Sequence, residues 1–143
     1  MSNFEYVIEI QAPPAHVWAV LLDVERWPEW TAAVTSAQRM EIGPLTLGSR
    51  TRLAQPGLSK AVWKVTSLDE SRGIFAWTTH TIGVKITAYH QVEELGSSTR
   101  VTLLLHYSGI LGPLVSRLLR DLNWDYLVRE GNGLKQRCEA VIA

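Results

Sequence analysis

His90 is the side chain in this sequence best placed to do chemistry. It falls in a run where Ile86, Ala88, His90 and Val92 alternate with Lys85, Thr87, Gln91 and Glu93. In an extended chain successive side chains point to opposite faces, so the charged set marks the wet face and His90 turns inward among apolar neighbours. An imidazole there can hydrogen-bond a carbonyl or act as a general base near neutral pH. It can equally be a core histidine whose bonds are met internally. His80 and His106 are expected to face outward, and His16 lies on a helix, so no three-ligand metal set is expected.

The same alternation places other candidates. Lys64 points to water, which turns Trp63 inward with Ala61 and Val65; Phe75, Trp77 and Thr79 share the inner face of the next run. Outward Arg100 and Thr102 leave Val101, Leu103, Leu105 and Tyr107 inside. Thr79 and Tyr107 offer hydroxyls to an orienting network. Late in the chain, Asn123 and Arg120 lie on the side of an ideal helix continuous with Leu127 and Leu134, so one of the two is expected at the edge of the inner face.

The elements that must hold these residues follow from periodicity and turn chemistry. Residues 4–10 alternate as a strand, with Phe4, Tyr6, Ile8 and Ile10 on one face. Ala12-Pro13-Pro14 stops that strand and opens a helix over 16–22, with Val17, Val20 and Leu21 buried. Asp23 is expected to cap a second short helix through Trp27-Pro28-Glu29-Trp30. Trp18, Trp27 and Trp30 on these helices read as structural, sealing one end of a sheet. Strands are expected over 34–42, 49–55, 60–68, 74–81, 84–95 and 99–108, separated by Gly- and Pro-containing turns. Short connections imply antiparallel neighbours.

From Gly112-Pro113 the pattern is helical to the end. Leu111, Val115, Leu118 and Leu122 form one stripe, and Leu127, Leu134 and Cys138 another, offset by roughly two-fifths of a turn. A kink near Gly131 and Gly133, or a break within 123–126, is expected; the alternative is that the first stripe forms a dimer surface. The two glycines also permit close backbone approach.

Composition bounds the function. The chain has 143 residues, read as one domain over 1–143, long enough to bury about two-thirds of its unfolded surface without disulfides or metal. Fourteen basic and fourteen acidic residues cancel, without the clustered surplus of a nucleic-acid binder. The single cysteine, Cys138, excludes an internal disulfide and reads as a packing residue. No apolar run is long enough to span a bilayer, and the first residues, Met1-Ser2-Asn3-Phe4-Glu5-Tyr6, enter a strand pattern without a signal peptide, so a cytoplasmic location is expected.

The opening string, Ile8-Glu-Ile-Gln-Ala-Pro-Pro-Ala-His-Val-Trp18 through Asp23-Val-Glu-Arg-Trp27-Pro-Glu-Trp30, resembles the polyketide cyclase/dehydrase branch of the START-like (SRPBCC) superfamily. Gly48, Trp63-Lys-Val65, Gly73-Ile-Phe-Ala-Trp77, Tyr89-His90, Gly96 with Thr99-Arg-Val-Thr102, and Leu134-Lys135 with Glu139 continue the resemblance over essentially the whole chain. It implies an α+β helix-grip fold: a curved seven-stranded antiparallel sheet wrapped around a long C-terminal helix, with two short helices between strands 1 and 2. It also implies a cavity between sheet and helix.

Trp63, Phe75, Trp77, Thr79, His90, Leu105, Tyr107, Asn123 and Leu127 are the expected cavity residues. A wall of aromatics with a few polar tips suits a small hydrophobic or amphipathic molecule, such as a lipid, quinone or polyketide-like compound, although the same aromatics can simply fill the core. No acidic residue falls on the inner faces of the later strands, and no Gly-rich phosphate loop, HExxH or GxSxG motif occurs. Binding without catalysis is therefore the leading expectation, with no cofactor. A cyclase or dehydratase using His90 is the enzymatic alternative, and a homodimer through the 111–122 stripe, rather than a monomer, the third.

Overall fold

The computed structural model describes residues 3–140. Met1, Ser2 and residues 141–143, which the sequence reading placed in the first strand's approach and the last helix, lie outside the described residues. Strands β1 (Asn3–Ile10), β2 (Ser36–Arg39), β3 (Arg50–Ala54), β4 (Ala61–Asp69), β5 (Ile74–Thr81), β6 (Val84–Leu95) and β7 (Ser98–Ser108) form one sheet. Its order is β1-β7-β6-β5-β4-β3-β2, with every neighbouring pair antiparallel. Six consecutive strands make a meander, and β1 closes onto β7 at the far edge. The fold is the expected helix-grip arrangement, in which one face of the sheet is covered by helices.

Between β1 and β2 lie helix α1 (Pro14–Leu22) and a 3-10 helix, Val24–Glu29. Proline in the first turn of α1 removes a donor that would have no partner there. Val17 and Leu21 are fully buried as expected, with Trp18 beside them, while Val20 is only partly covered. Asp23 makes no side-chain capping bond to the 3-10 helix; its carboxylate pairs instead with Arg26 at 3.2 Å.

Two sheet details depart from simple alternation. Strand β2 is half the expected length, because beyond Arg39 the Arg50 N–H is taken by Glu41 Oε1 at 2.8 Å and not by a strand carbonyl. A bulge between Val65 and Ser67 shifts the β4–β5 register, which bends the sheet and turns Leu68 opposite Phe75. On the outer face Thr87, expected to be wet, is buried. Its hydroxyl sits 3.1 Å from that of Thr78, which in turn lies 3.1 Å from Thr66, so three strands share one hydroxyl ladder.

The C-terminal segment consists of α2 (Gly112–Leu118) and α3 (Arg120–Glu139). The bend falls at Leu119, before either expected place, and α3 runs unbroken through Gly131 and Gly133. These glycines let α3 seat closely. A Cβ on Gly131 would meet the Tyr6 ring at 2.6 Å, and one on Gly133 would meet the Trp30 carbonyl oxygen at 1.9 Å. Tertiary contact holds the helix straight there in spite of low propensity. The bend lets α3 lay its Asn123–Leu127–Leu134–Cys138 face on the sheet while α2 turns off across the end of β7. Leu111, Leu114 and Leu118 are consequently exposed.

The end of α3 is tied to β1 and the short helices by polar bonds. Lys135 Nζ donates to the Glu9 carbonyl at 2.8 Å, Gln11 N–H donates to Glu139 at 2.7 Å, and Arg137 pairs with Glu29 at 2.8 Å. Those bonds fix the helix at one end of the sheet. The other end is where the site lies.

Candidate functional site

Between α3 and the inner face of the sheet is a hollow of about 60 Å³. Trp63, Trp77, His90, Leu105, Tyr107, Asn123 and Leu127, all expected to line a cavity, do line it. Phe75 and Thr79 do not. Phe75 stands behind His90, its ring stacked on the imidazole at 4.8 Å between centroids and 15° between planes. Thr79 is buried without reaching the hollow. Trp27, read from the sequence as structural, lines the hollow too. Its indole N–H donates to the Leu21 carbonyl at 3.0 Å, and its ring lies 5.2 Å from Trp77 and 5.7 Å from His90.

The chemistry centres on a pair that strand alternation could not show. His90 Nε2 lies 3.2 Å from Glu130 Oε2, and Nδ1 lies 3.0 Å from the Phe75 carbonyl oxygen. A carbonyl only accepts, so Nδ1 carries a proton and donates to it. Nε2 is then the ring nitrogen turned to the Glu130 carboxyl, within ion-pair distance of it. His90 is 2% exposed at its side chain and Glu130 15%, so the carboxyl forms the open side of the pair. Strand alternation offers no inward carboxylate. The acid arrives from the helix. Asn123, Leu127, Glu130 and Leu134 follow the four-three-four spacing of a single helical face, which is the signal that could have found it.

Polar groups also converge at the opposite side of the hollow. Tyr107 OH donates to Asn123 Oδ1 at 2.9 Å, and burial pushes the tyrosine hydroxyl above its ordinary pKa, partly offset by that bond. Asn123 Nδ2 and Trp63 Nε1 are buried with no acceptor among the described residues. An unmet buried donor costs about 1–3 kcal/mol, which makes these two N–H groups natural partners for an oxygen brought in from outside. Of the two helix residues considered at the cavity edge, Asn123 is the one that reaches it, and Arg120 is exposed.

Over this side lies the β3–β4 turn. Leu53, Gln55 and Leu58 form part of the wall, and the Tyr126 hydroxyl on α3 donates to the Pro56 carbonyl. The turn thus closes the hollow against the helix. An open groove of about 770 Å³ between α1 and the β4–β5 connection is larger, but it faces solvent at the other end of the sheet, away from His90 and Glu130.

The comparisons with known proteins agree with this architecture. A family model described as polyketide cyclase / dehydrase and lipid transport matches residues 1–139. No curated protein matches the chain by sequence. Among solved structures, TTHA0849 from Thermus thermophilus superposes with a TM-score of 0.79 at 20% identity, covering 99% of both chains. The Zhui aromatase/cyclase from Streptomyces sp. R1128 gives 0.78 at 18% identity, with 96% of this chain and 93% of that one covered. A START superfamily protein from Mycobacterium smegmatis gives 0.73 at 19% identity, covering 96% and 97%. At such identities the structures speak for the fold, and the sequence model speaks for the family. The chain that builds this sheet, this helix and the hollow between them belongs to the polyketide cyclase / dehydrase and lipid transport family.

Proposed function

We propose that the hollow receives a small, largely apolar molecule that presents an oxygen to Trp63 and Asn123. The observation that carries this reading is the pair of buried N–H donors, without a partner among the described residues, set in a wall of indole and leucine side chains. The hollow is smaller than the roughly 300–1,000 Å³ of pockets that enclose drug-sized ligands. A lipid, quinone or polyketide-like molecule therefore enters as the β3–β4 turn lifts from α3, breaking the hydrogen bond between Tyr126 and Pro56. Membership of a cyclase and lipid-transport family supports the ligand class.

The test is a titration of fatty acids, quinones and aromatic polyketide mimics, followed by tryptophan emission and native mass spectrometry. A carbonyl-bearing ligand is expected to quench emission, and Trp63→Phe and Asn123→Ala are each expected to weaken it several-fold. Absence of quenching and of any bound mass across the panel overturns the reading.

The His90–Glu130 pair favours a second reading, catalysis. A ring nitrogen and a carboxyl oxygen 3.2 Å apart beside an aromatic wall suit proton abstraction and return during enolisation, aldol closure or loss of water. In that case His90→Ala and Glu130→Gln each lower turnover of a poly-β-keto mimic by on the order of a hundredfold or more. Turnover unchanged in both variants removes the catalytic reading and leaves binding intact.

A further inference from the structure

In an antiparallel meander alternate connections fall at the same end of the sheet. The β3–β4 turn, the β5–β6 turn and the β7–α2 link therefore share one end, and they touch each other or α3. Leu111 N–H donates to the Gly83 carbonyl at 2.8 Å, and Gly57 lies against Leu122 and the Tyr126 hydroxyl. This is also the end where Leu58, Tyr107, Asn123 and Tyr126 border the hollow.

The end carries an unusual pair of properties. Ile82 and Ile110 are 91% and 94% exposed and Leu118 is 72% exposed, with Leu58, Leu111 and Leu114 also open to solvent. Segments 55–60, 81–85 and 109–120 contain Lys60, Lys85, Arg117 and Arg120, all exposed, and no carboxylate. Asp121, just beyond, lies 3.9 Å from Arg120. At the opposite end, where Ile42 and Leu47 are exposed too, segments 40–49, 69–73 and 94–98 carry Glu41, Asp69, Glu70 and Glu94 with Arg72 among them and Arg50 paired to Glu41 at 2.8 Å. A chain of zero net charge is thus polarised along its strands.

From this we infer that the end formed by the β3–β4 turn, the β5–β6 turn and α2 docks on an anionic lipid bilayer, with the isoleucines and leucines in the acyl boundary and the four cations at the headgroups. Apolar tips flanked by cations are the chemistry of interfacial binding, and each adds to the other. A second copy of the chain fits the face poorly, because a two-fold contact sets the same cations against one another. Leu58 on this surface also lines the hollow, so on the entry route proposed above docking would bring the β3–β4 turn that closes it to the membrane.

The experiment uses ligand-free protein and co-sedimentation with phosphatidylcholine vesicles, with and without phosphatidylglycerol, at low and high salt. Binding is expected only with the anionic lipid and falls with salt. Ile110→Ser combined with Leu118→Ser lowers it by at least roughly tenfold. Lys85→Glu with Arg117→Glu lowers it at least as much. Leu47→Ser at the acidic end leaves it unchanged, and circular dichroism checks that each variant is folded. The inference is overturned if the wild type binds no vesicle, if the Ile110/Leu118 variant binds equally well, or if light scattering shows a dimer that Leu118→Glu dissociates without any vesicle binding. Because no ligand is present, failure here leaves the tryptophan-quenching test of the hollow standing, and the converse holds too.

Discussion

Replacing Gly133 by alanine sets two physical effects against each other. Helix propensity alone favours the substitution by about 1 kcal/mol, since Gly133 lies well inside α3. Packing opposes it. The added Cβ would stand 1.9 Å from the Trp30 carbonyl oxygen and 3.0 Å from its carbon, so backbone must move by about an ångström on one side or the other. The neighbour is main chain at the end of the 3-10 helix, which cannot rotate away as a side chain does. Overpacking of this kind costs about 1–3 kcal/mol, and the upper part of that range applies to a backbone contact. The expected net effect is a loss of about 1–2 kcal/mol, or a fall in Tm of a few degrees for a domain of this size. Gly131→Ala is the internal control. Its Cβ meets the Tyr6 ring, which can swing aside at the cost of the 2.9 Å bond from Tyr6 OH to Asn132, so its effect lies near zero. Urea unfolding of the three proteins, followed by far-UV circular dichroism, separates the cases. A Gly133→Ala protein more stable than the wild type by about 1 kcal/mol refutes the close seating of α3, because propensity would then act unopposed.

Burial pushes the Cys138 thiol up to about 11, with the neighbouring Glu139 charge adding to the effect, so the native protein is expected to react with a disulfide reagent near pH 8 at least roughly a hundredfold more slowly than the unfolded chain. Rapid labelling of folded protein would contradict that. The same shift carries a sign: the native state holds the thiol proton more tightly, so its contribution is intact below the ordinary value of 9.0 and is lost as pH rises towards about 11. The loss is on the order of 2 kcal/mol, and Cys138→Val should show a shallower alkaline decline. Tyr126→Phe removes the bond that holds the β3–β4 turn to α3. It should cost about 1 kcal/mol and make tryptophan emission more accessible to acrylamide, whereas unchanged quenching would mean that the turn is held by other contacts.

Much of the fold was legible along the chain because alternation and turn residues are local signals. The bounds of β5 and β6 could be read from Gly73, Gly83 and Gly96, and the inward set Trp63, Trp77, His90 and Tyr107 from the charged residues opposite them. The length of β2 was not legible, because what ends its ladder is the Glu41 side chain reaching Arg50. The bend was misplaced for a similar reason. Propensity points to Gly131 and Gly133, but those positions are clamped by Tyr6 and Trp30, residues more than a hundred positions away.

Sequence by itself determined the order of the seven strands, the family resemblance and the inward set of β4 to β7, since these depend on neighbours two to four residues apart. Only the tertiary structure decided that Glu130 meets His90, that Trp27 packs against the same ring, and that Trp63 and Asn123 keep donors without partners among the described residues. Strand facing gives no distance from sheet to helix. That separation follows from glycine contacts and polar ties at one end of α3, and it sets both the size of the hollow and the pairing of ring with carboxyl.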